Sequence, residues 1–250
     1  MKIMKKVFKV AGISLLVVTI GIILLFFFWA LNPSKAQHVA ISALQSDELV
    51  KVTSTKEYVL FEPTNTKATV GFIFYPGGHV EFRAYAPILH KIAAEGFLVI
   101  LVRVKLNLAF FDVDAGKPFL TKFPEIKVWT AGGHSLGGVA VAWFSAMRPE
   151  IQGIVFWASY SANDKLMNRA IKMLSIYGTE DGGLDNGKKI EIHKKYQPDD
   201  TVFYEIQGGN HGQFADYGPQ PGDKPAKITQ AEQFEITARV TVDFLKQFQQ

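Results

Sequence analysis

The sequence predicts an α/β domain, a mostly parallel sheet with helices on both faces, preceded by one membrane-length helix. Three observations carry this. From Tyr58 onward, apolar runs of strand length alternate with amphipathic segments of helix length. Several runs, most clearly ATVGFIFY (68–75) and FLVILV (97–102), have apolar residues at successive positions, as strands buried on both faces require. Ahead of them stands an uncharged stretch from Val10 to Leu31.

The first segment in chain order is the most distinctive. Lys2, Lys5, Lys6 and Lys9 precede the apolar run, which has 22 residues and as a helix reaches ~33 Å, enough to span a hydrocarbon core of ~30 Å. Phe26, Phe27, Phe28 and Trp29 gather at its far end, and Asn32-Pro33 stops the helix. The competing reading is a cleaved signal peptide with Ser34-Lys35-Ala36 as the small-x-small site; the run is too long for that and ends in bulky aromatics. The expected division is a basic cytoplasmic tail (1–9), a transmembrane signal anchor (10–31), a linker (32–56) and a folded domain (57–250). The lysine bias orients it as a single-pass protein of the cell membrane with its domain outside the cytoplasm; the alternative is secretion after cleavage.

Composition narrows the rest. Apolar residues make up 48% and charged residues 20%, which excludes a disordered or fibrous chain. Cysteine is absent, so disulfides, thiolate metal sites and a cysteine nucleophile are excluded. The net charge of +4 is explained by the five lysines of residues 1–36; residues 37–250 carry about −1, which gives no support for nucleic-acid binding.

Within the domain, Tyr58–Phe61 reads as an edge strand and Ala68–Tyr75 as a strand ended by Pro76-Gly77-Gly78. Ala84–Glu95 has helical spacing and closes on Gly96, and Phe97–Val102 is a buried strand. A less regular stretch, Arg103–Ile126, follows. Lys127–Ala131, Ile154–Ala158, Met173–Tyr177 and Val202–Ile206 are strands; Leu136–Met147, Gly187–Tyr196 and Thr229–Phe248 are helices, with a helical stretch also near Ala40–Leu49.

The strongest local signal is Gly133-His134-Ser135-Leu136-Gly137, a G-x-S-x-G pattern between a strand and a helix. A serine on so sharp a turn is held in strained backbone, and side chains two positions either side would meet neighbouring chain, so glycine stands there. The turn raises the hydroxyl above the sheet and offers the Leu136 N–H to an oxyanion, with a helix dipole behind it. Such a serine needs an acid and a base later in the chain. Glu180 and Asp181 follow the Met173–Tyr177 strand, and the Gly178-x-x-Asp181 spacing favours Asp181. His211, in Gly208-Gly209-Asn210-His211-Gly212 after the last strand, is the expected base. His134 is expected to pack beside the site, and His38, His90 and His193 to be solvated. A second oxyanion donor is expected from Gly78 or His79. Phe110, Phe111 and Phe214 suit either an acyl pocket or the core.

On FYPGGHVEFRAYAPIL (74–89), GGHSLGG (132–138), LSIYGTEDGGLD (174–185) and GGNHGQFADYGPQPGD (208–223), the chain resembles the α/β-hydrolase superfamily, and within it the compact bacterial branch of dienelactone-hydrolase-like and chlorophyllase-like proteins. The resemblance covers roughly 57–248. It implies the α/β-hydrolase fold, Ser135 as nucleophile, Asp181 as acid, His211 as base, an oxyanion donor after Gly77, and a pocket lined by Asn107, Leu108 and Ala109; His79 is a further pocket candidate. The histidine usual before the oxyanion glycine is Pro76 here. No insertion long enough for a large lid separates Ile154–Ala158 from Met173–Tyr177.

The expected activity is hydrolysis of carboxylic esters or thioesters through an acyl-enzyme, with a small-molecule or lipid-like substrate, no cofactor and no metal. The alternatives are acyl transfer on the same triad, or a binding or sensory protein of low turnover.

Overall fold

The computed structural model describes residues 2–249. Helix α1 spans Lys2–Leu31. Its Ala11–Leu31 portion is long and apolar enough to cross a membrane, with a mean hydropathy of 2.8 and none of its most apolar stretch buried.

The stretch 32–56, expected to be a linker, is instead built into the domain. Ser34 bridges Val80 in parallel, and the Gln37 and Ala40 N–H groups donate to the carbonyl and carboxylate of Asp216. Its helix α2 is only His38–Ser42, and strand β1, Val50–Ser54, pairs antiparallel with β2, Tyr58–Pro63. Tyr58–Phe61 is therefore an inner strand rather than the edge. The cause lies in the partner: β1 has only Val50 buried and alternates too weakly to be read alone.

The chain continues through β3 (Val70–Tyr75), α3 (Ala86–Ala94), β4 (Leu98–Val102), α4 (Phe119–Lys122), β5 (Val128–His134), α5 (Leu136–Ala146), β6 (Ile151–Trp157), β7 (Lys172–Gly178), α6 (Lys188–His193), β8 (Val202–Ile206) and α7 (Gln230–Leu245). The sheet order is β1-β2-β4-β3-β5-β6-β7-β8. The β1–β2 and β2–β4 pairs are antiparallel and the rest parallel. Two helix-end signals hold: Gly96 takes φ +96° just after α3, and Thr229 opens α7 with a capping box closed by Glu232.

All six residues of β3 are buried, and they divide by parity. Phe72 and Phe74 enter one core layer, with Trp157, α3 and α7; Ile73 and Tyr75 enter the other, with Phe144 of α5 and Phe156. Removing ~200 Å² of each such ring from water at ~25 cal/mol per Å² contributes roughly 5 kcal/mol as an upper bound. These layers hold β3, β5, β7 and β8 so rigidly that their C-terminal ends present four loops along one sheet edge, where open α/β sheets bind ligands.

Two histidines depart from expectation. His90 sits against Phe61 with its Nε2 3.5 Å from Asp47, and burial lowers its pKa despite that carboxylate. His193 stacks on Tyr160, ring centroids 3.9 Å apart. Both are half-buried at the rims of larger apolar layers rather than free in solvent.

Candidate active site

Ser135 stands between β5 and α5 with φ 51° and ψ −123°, a region that costs a non-glycine residue about 1–3 kcal/mol. The surroundings over-determine this strain. The Ser135 N–H donates to the Trp157 carbonyl at 3.0 Å, and its carbonyl accepts from Ser159 Oγ at 2.7 Å. A Cβ on Gly133 would lie 2.6 Å from backbone of Gly137, and one on Gly137 would lie 2.3 Å from the Pro76 carbonyl oxygen. The pattern glycines are thus forced by packed backbone, as the motif predicts.

The candidate acid and base come from the loops after β7 and β8. After β7, Asp181 is fully buried and its Oδ1 accepts the Leu184 N–H at 2.8 Å. After β8, His211 is buried with Nδ1 3.0 Å from both Asp181 oxygens. Glu180, the other carboxylate considered, turns away to Lys227 at 2.5 Å.

Side chains outside the expected set lock these loops together. The Asp223 carboxylate accepts N–H bonds from Gly182 at 2.9 Å and Gly212 at 2.7 Å, the residues just after Asp181 and His211. Buried Gln233 of α7 binds Asn210 twice, accepting from its N–H and donating to its carbonyl. Asp223 lies inside the GGNHGQFADYGPQPGD stretch, but spacing alone does not tell which N–H groups it meets. Gln233 occupies a polar position on an amphipathic helix and carried no signal.

The fourth loop, after β3, runs beside Ser135. The His79 N–H donates to the Asn107 carbonyl at 2.8 Å, whereas no partner is present for the Gly78 N–H among the described residues. A Cβ on Gly78 would come within 2.5 Å of Leu136 Cδ1 and 3.4 Å of Leu108 Cδ2, so Gly78, Leu108 and Leu136 form one contiguous wall. His79 and Asn107 serve α1 instead. The His79 ring stacks on Trp29, centroids 4.2 Å apart, its Nε2 lies 2.8 Å from the Trp29 carbonyl, and the Asn107 amide donates to the Ala30 carbonyl at 2.8 Å.

His134 packs beside the site, as expected. Its ring lies 4.6 Å from that of His211 and is fully enclosed. Burial first, then the neighbouring His211, pushes its pKa well below the ordinary imidazole range, so it stays neutral at neutral pH. Phe214 stacks on it within the core, while Phe110 and Phe111 are exposed. Among the described residues no group of His, Asp or Glu side chains is placed to hold a metal ion.

The profile of the alpha/beta hydrolase family matches residues 71–235, and the chain belongs to that family. No curated protein matches it in sequence. Among solved structures it is similar to an esterase domain from a Rhodothermus marinus protein, with TM-score 0.61 and 13% identity over 79% of this chain and 98% of that one. It is also similar to Est1E from Butyrivibrio proteoclasticus, with TM-score 0.56 and 13% identity over 80% and 99%. An esterase/lipase from an uncultured bacterium gives TM-score 0.61 and 13% identity over 84% and 88%. At these identities the likeness shows the fold, and with the family match it sets the chain among the alpha/beta hydrolases.

Proposed function

We propose that this protein is a membrane-tethered serine hydrolase that cleaves carboxylic esters through Ser135, His211 and Asp181. The observation that carries the reading is the buried His211–Asp181 pair, held by the loops after β7 and β8, which open on the same C-terminal sheet edge as the strained Ser135 turn. Asp181 accepts the proton on Nδ1 and so leaves Nε2 unprotonated as the base. His211 takes the Ser135 proton, the alkoxide attacks the ester carbonyl, and the N–H groups of Leu136 and Gly78 hold the developing oxyanion. His211 then gives the proton to the leaving alcohol. Water, activated by the same imidazole, releases the acid and restores Ser135. Removing one oxyanion donor costs about 10²–10³ in kcat in comparable sites.

The tether is supported by how α1 ends. Ala30 is fully buried against the domain, and Trp29 and Ala30 bond to His79 and Asn107. Cleavage near residue 36 would strip those partners away, which favours an uncleaved anchor over a secreted form. The lysines ahead of the span favour the extracytoplasmic side for the domain.

Fluorophosphonate labelling of the full chain, read by intact mass and peptide mapping, tests the assignment. Stoichiometric modification of Ser135 in the native protein, lost in His211→Ala, is expected. A folded protein that takes no label at Ser135 refutes it.

A further inference from the structure

The end of α1 does more than hold the domain to a membrane. Phe26 packs against Phe111, ring centroids 6.3 Å apart, although Phe26 lies five residues before the helix ends. At ~1.5 Å per residue this puts Phe111 about 7 Å below the level of Leu31 along the helix axis. In a bilayer spanned as far as Leu31, Phe111 therefore sits within the outer leaflet. Phe111 is 54% exposed, and neighbouring Phe110 pairs with exposed Trp143, as aromatic residues of a membrane interface do.

At the same point a groove of about 910 Å³ opens. Leu31 itself forms part of its wall, with Tyr58, Val104, Leu106, Phe111 and Phe119 supplying most of its remaining apolar lining. Lys56, Arg103, Lys105 and Lys122 line it against only two acids, Glu57 and Asp112, a balance that suits an anionic headgroup. The groove reaches Asn107, whose carbonyl accepts the His79 N–H, and the next residue, Leu108, borders Gly78 and Leu136. Leu106 and Asn107 hold φ 55° and 52°, a strained corner between groove and oxyanion wall that Asn107's bond to Ala30 helps to pin.

We propose that this groove takes an acyl chain of an ester lipid drawn from the bilayer that α1 spans, and that such lipids are the substrate class of the Ser135 site. The proposal rests on the serine-hydrolase reading and the tether. The acyl–oxygen bond of the lipid breaks, the acyl group passes to Ser135 Oγ and then to water, and a fatty acid leaves together with the deacylated lipid.

The test uses the full chain reconstituted in vesicles of dioleoyl phosphatidylcholine and dioleoyl phosphatidylglycerol, with p-nitrophenyl acetate hydrolysis measured in the same preparation. Oleate release that Ser135→Ala abolishes is expected. Phe111→Asp should lower the ratio of oleate release to acetate hydrolysis at least tenfold, and Ala115→Trp, which fills the groove from another wall, should act in the same direction. Ser135-dependent acetate hydrolysis without oleate release overturns the lipid proposal while leaving the hydrolase reading intact. An unchanged ratio in both groove variants, each with the native circular dichroism spectrum, also overturns it. Loss of neither activity in Ser135→Ala overturns the two together.

Discussion

The Tyr85 hydroxyl lies 2.8 Å from Nδ1 of His134, and it accepts the Gly77 N–H at 2.9 Å. One fully buried phenol thus joins the residue before the nucleophile to the loop of the candidate oxyanion donor. The hydroxyl therefore bridges the Gly77 N–H and the imidazole of His134. Burial also raises the Tyr85 pKa well above its ordinary value, so the phenol keeps its proton.

Tyr85→Phe should leave the Gly77 N–H and His134 Nδ1 buried without partners. We expect a loss of about 2 kcal/mol in urea unfolding, within the ~1–3 kcal/mol range for an orphaned buried group. A fall in kcat larger than any rise in KM should accompany it, because the loop that moves carries the proposed oxyanion donor rather than a substrate contact. Unchanged kcat and stability would show that the two loops are positioned independently of the phenol.

His134 makes stability pH-dependent. Its folded pKa is depressed, so below about pH 6.5 the unfolded chain takes up a proton that the native state refuses. Stability should be flat with respect to this group above pH 7. It should fall below about pH 6.5, with a slope approaching ~1.4 kcal/mol per pH unit for one such histidine. His90, also depressed by burial, adds to the same window. Urea midpoints between pH 5 and 8 measure this, and His134→Asn should flatten the curve.

Asp223→Ala removes the carboxylate that holds Gly182 and Gly212. The loops carrying Asp181 and His211 then lose their common acceptor, and we expect kcat/KM to fall about 10–100-fold, as small displacements of a catalytic group do. Asp223→Asn keeps one acceptor oxygen and should recover part of the loss. Equal rates in the native protein and both variants would show that the buried His211–Asp181 contact holds itself.

Gly137→Ala should be among the most damaging single substitutions, since its Cβ meets the carbonyl oxygens of Pro76 and Tyr75 at 2.3 and 2.5 Å. Neither backbone atom can swing aside as a side chain would, so a loss of at least about 3 kcal/mol is expected. Gly12→Ala, with nothing within 4 Å, is the control and should leave the thermal midpoint unchanged.

The parallel part of the sheet was legible because strands buried on both faces are apolar at every position; β3 and β4 need no partner to be recognised. β1 was not, because Val50–Ser54 becomes a strand only through β2. The candidate site divides in the same way. Ser135 is marked by glycines that its backbone strain demands, and Asp181 and His211 by loops after apolar strands. Tyr85, Asp223 and Gln233 act through bonds to backbone of residues distant in sequence, and no spacing encodes those. The preference for Gly78 over His79 as proposed donor likewise rests on Asn107, whose carbonyl engages the His79 N–H.

Ser34 is clasped on both sides, its N–H donating to the His79 carbonyl and its carbonyl accepting from Glu81. Only Asn32 and Pro33 separate this clasp from the end of α1, so the domain has no slack with which to swivel or reach into bulk solvent. On the proposed membrane mounting, substrate would be met by lateral diffusion in two dimensions. The rate would then follow the mole fraction of ester lipid in the leaflet, and inert lipid added at constant total ester would slow it by surface dilution.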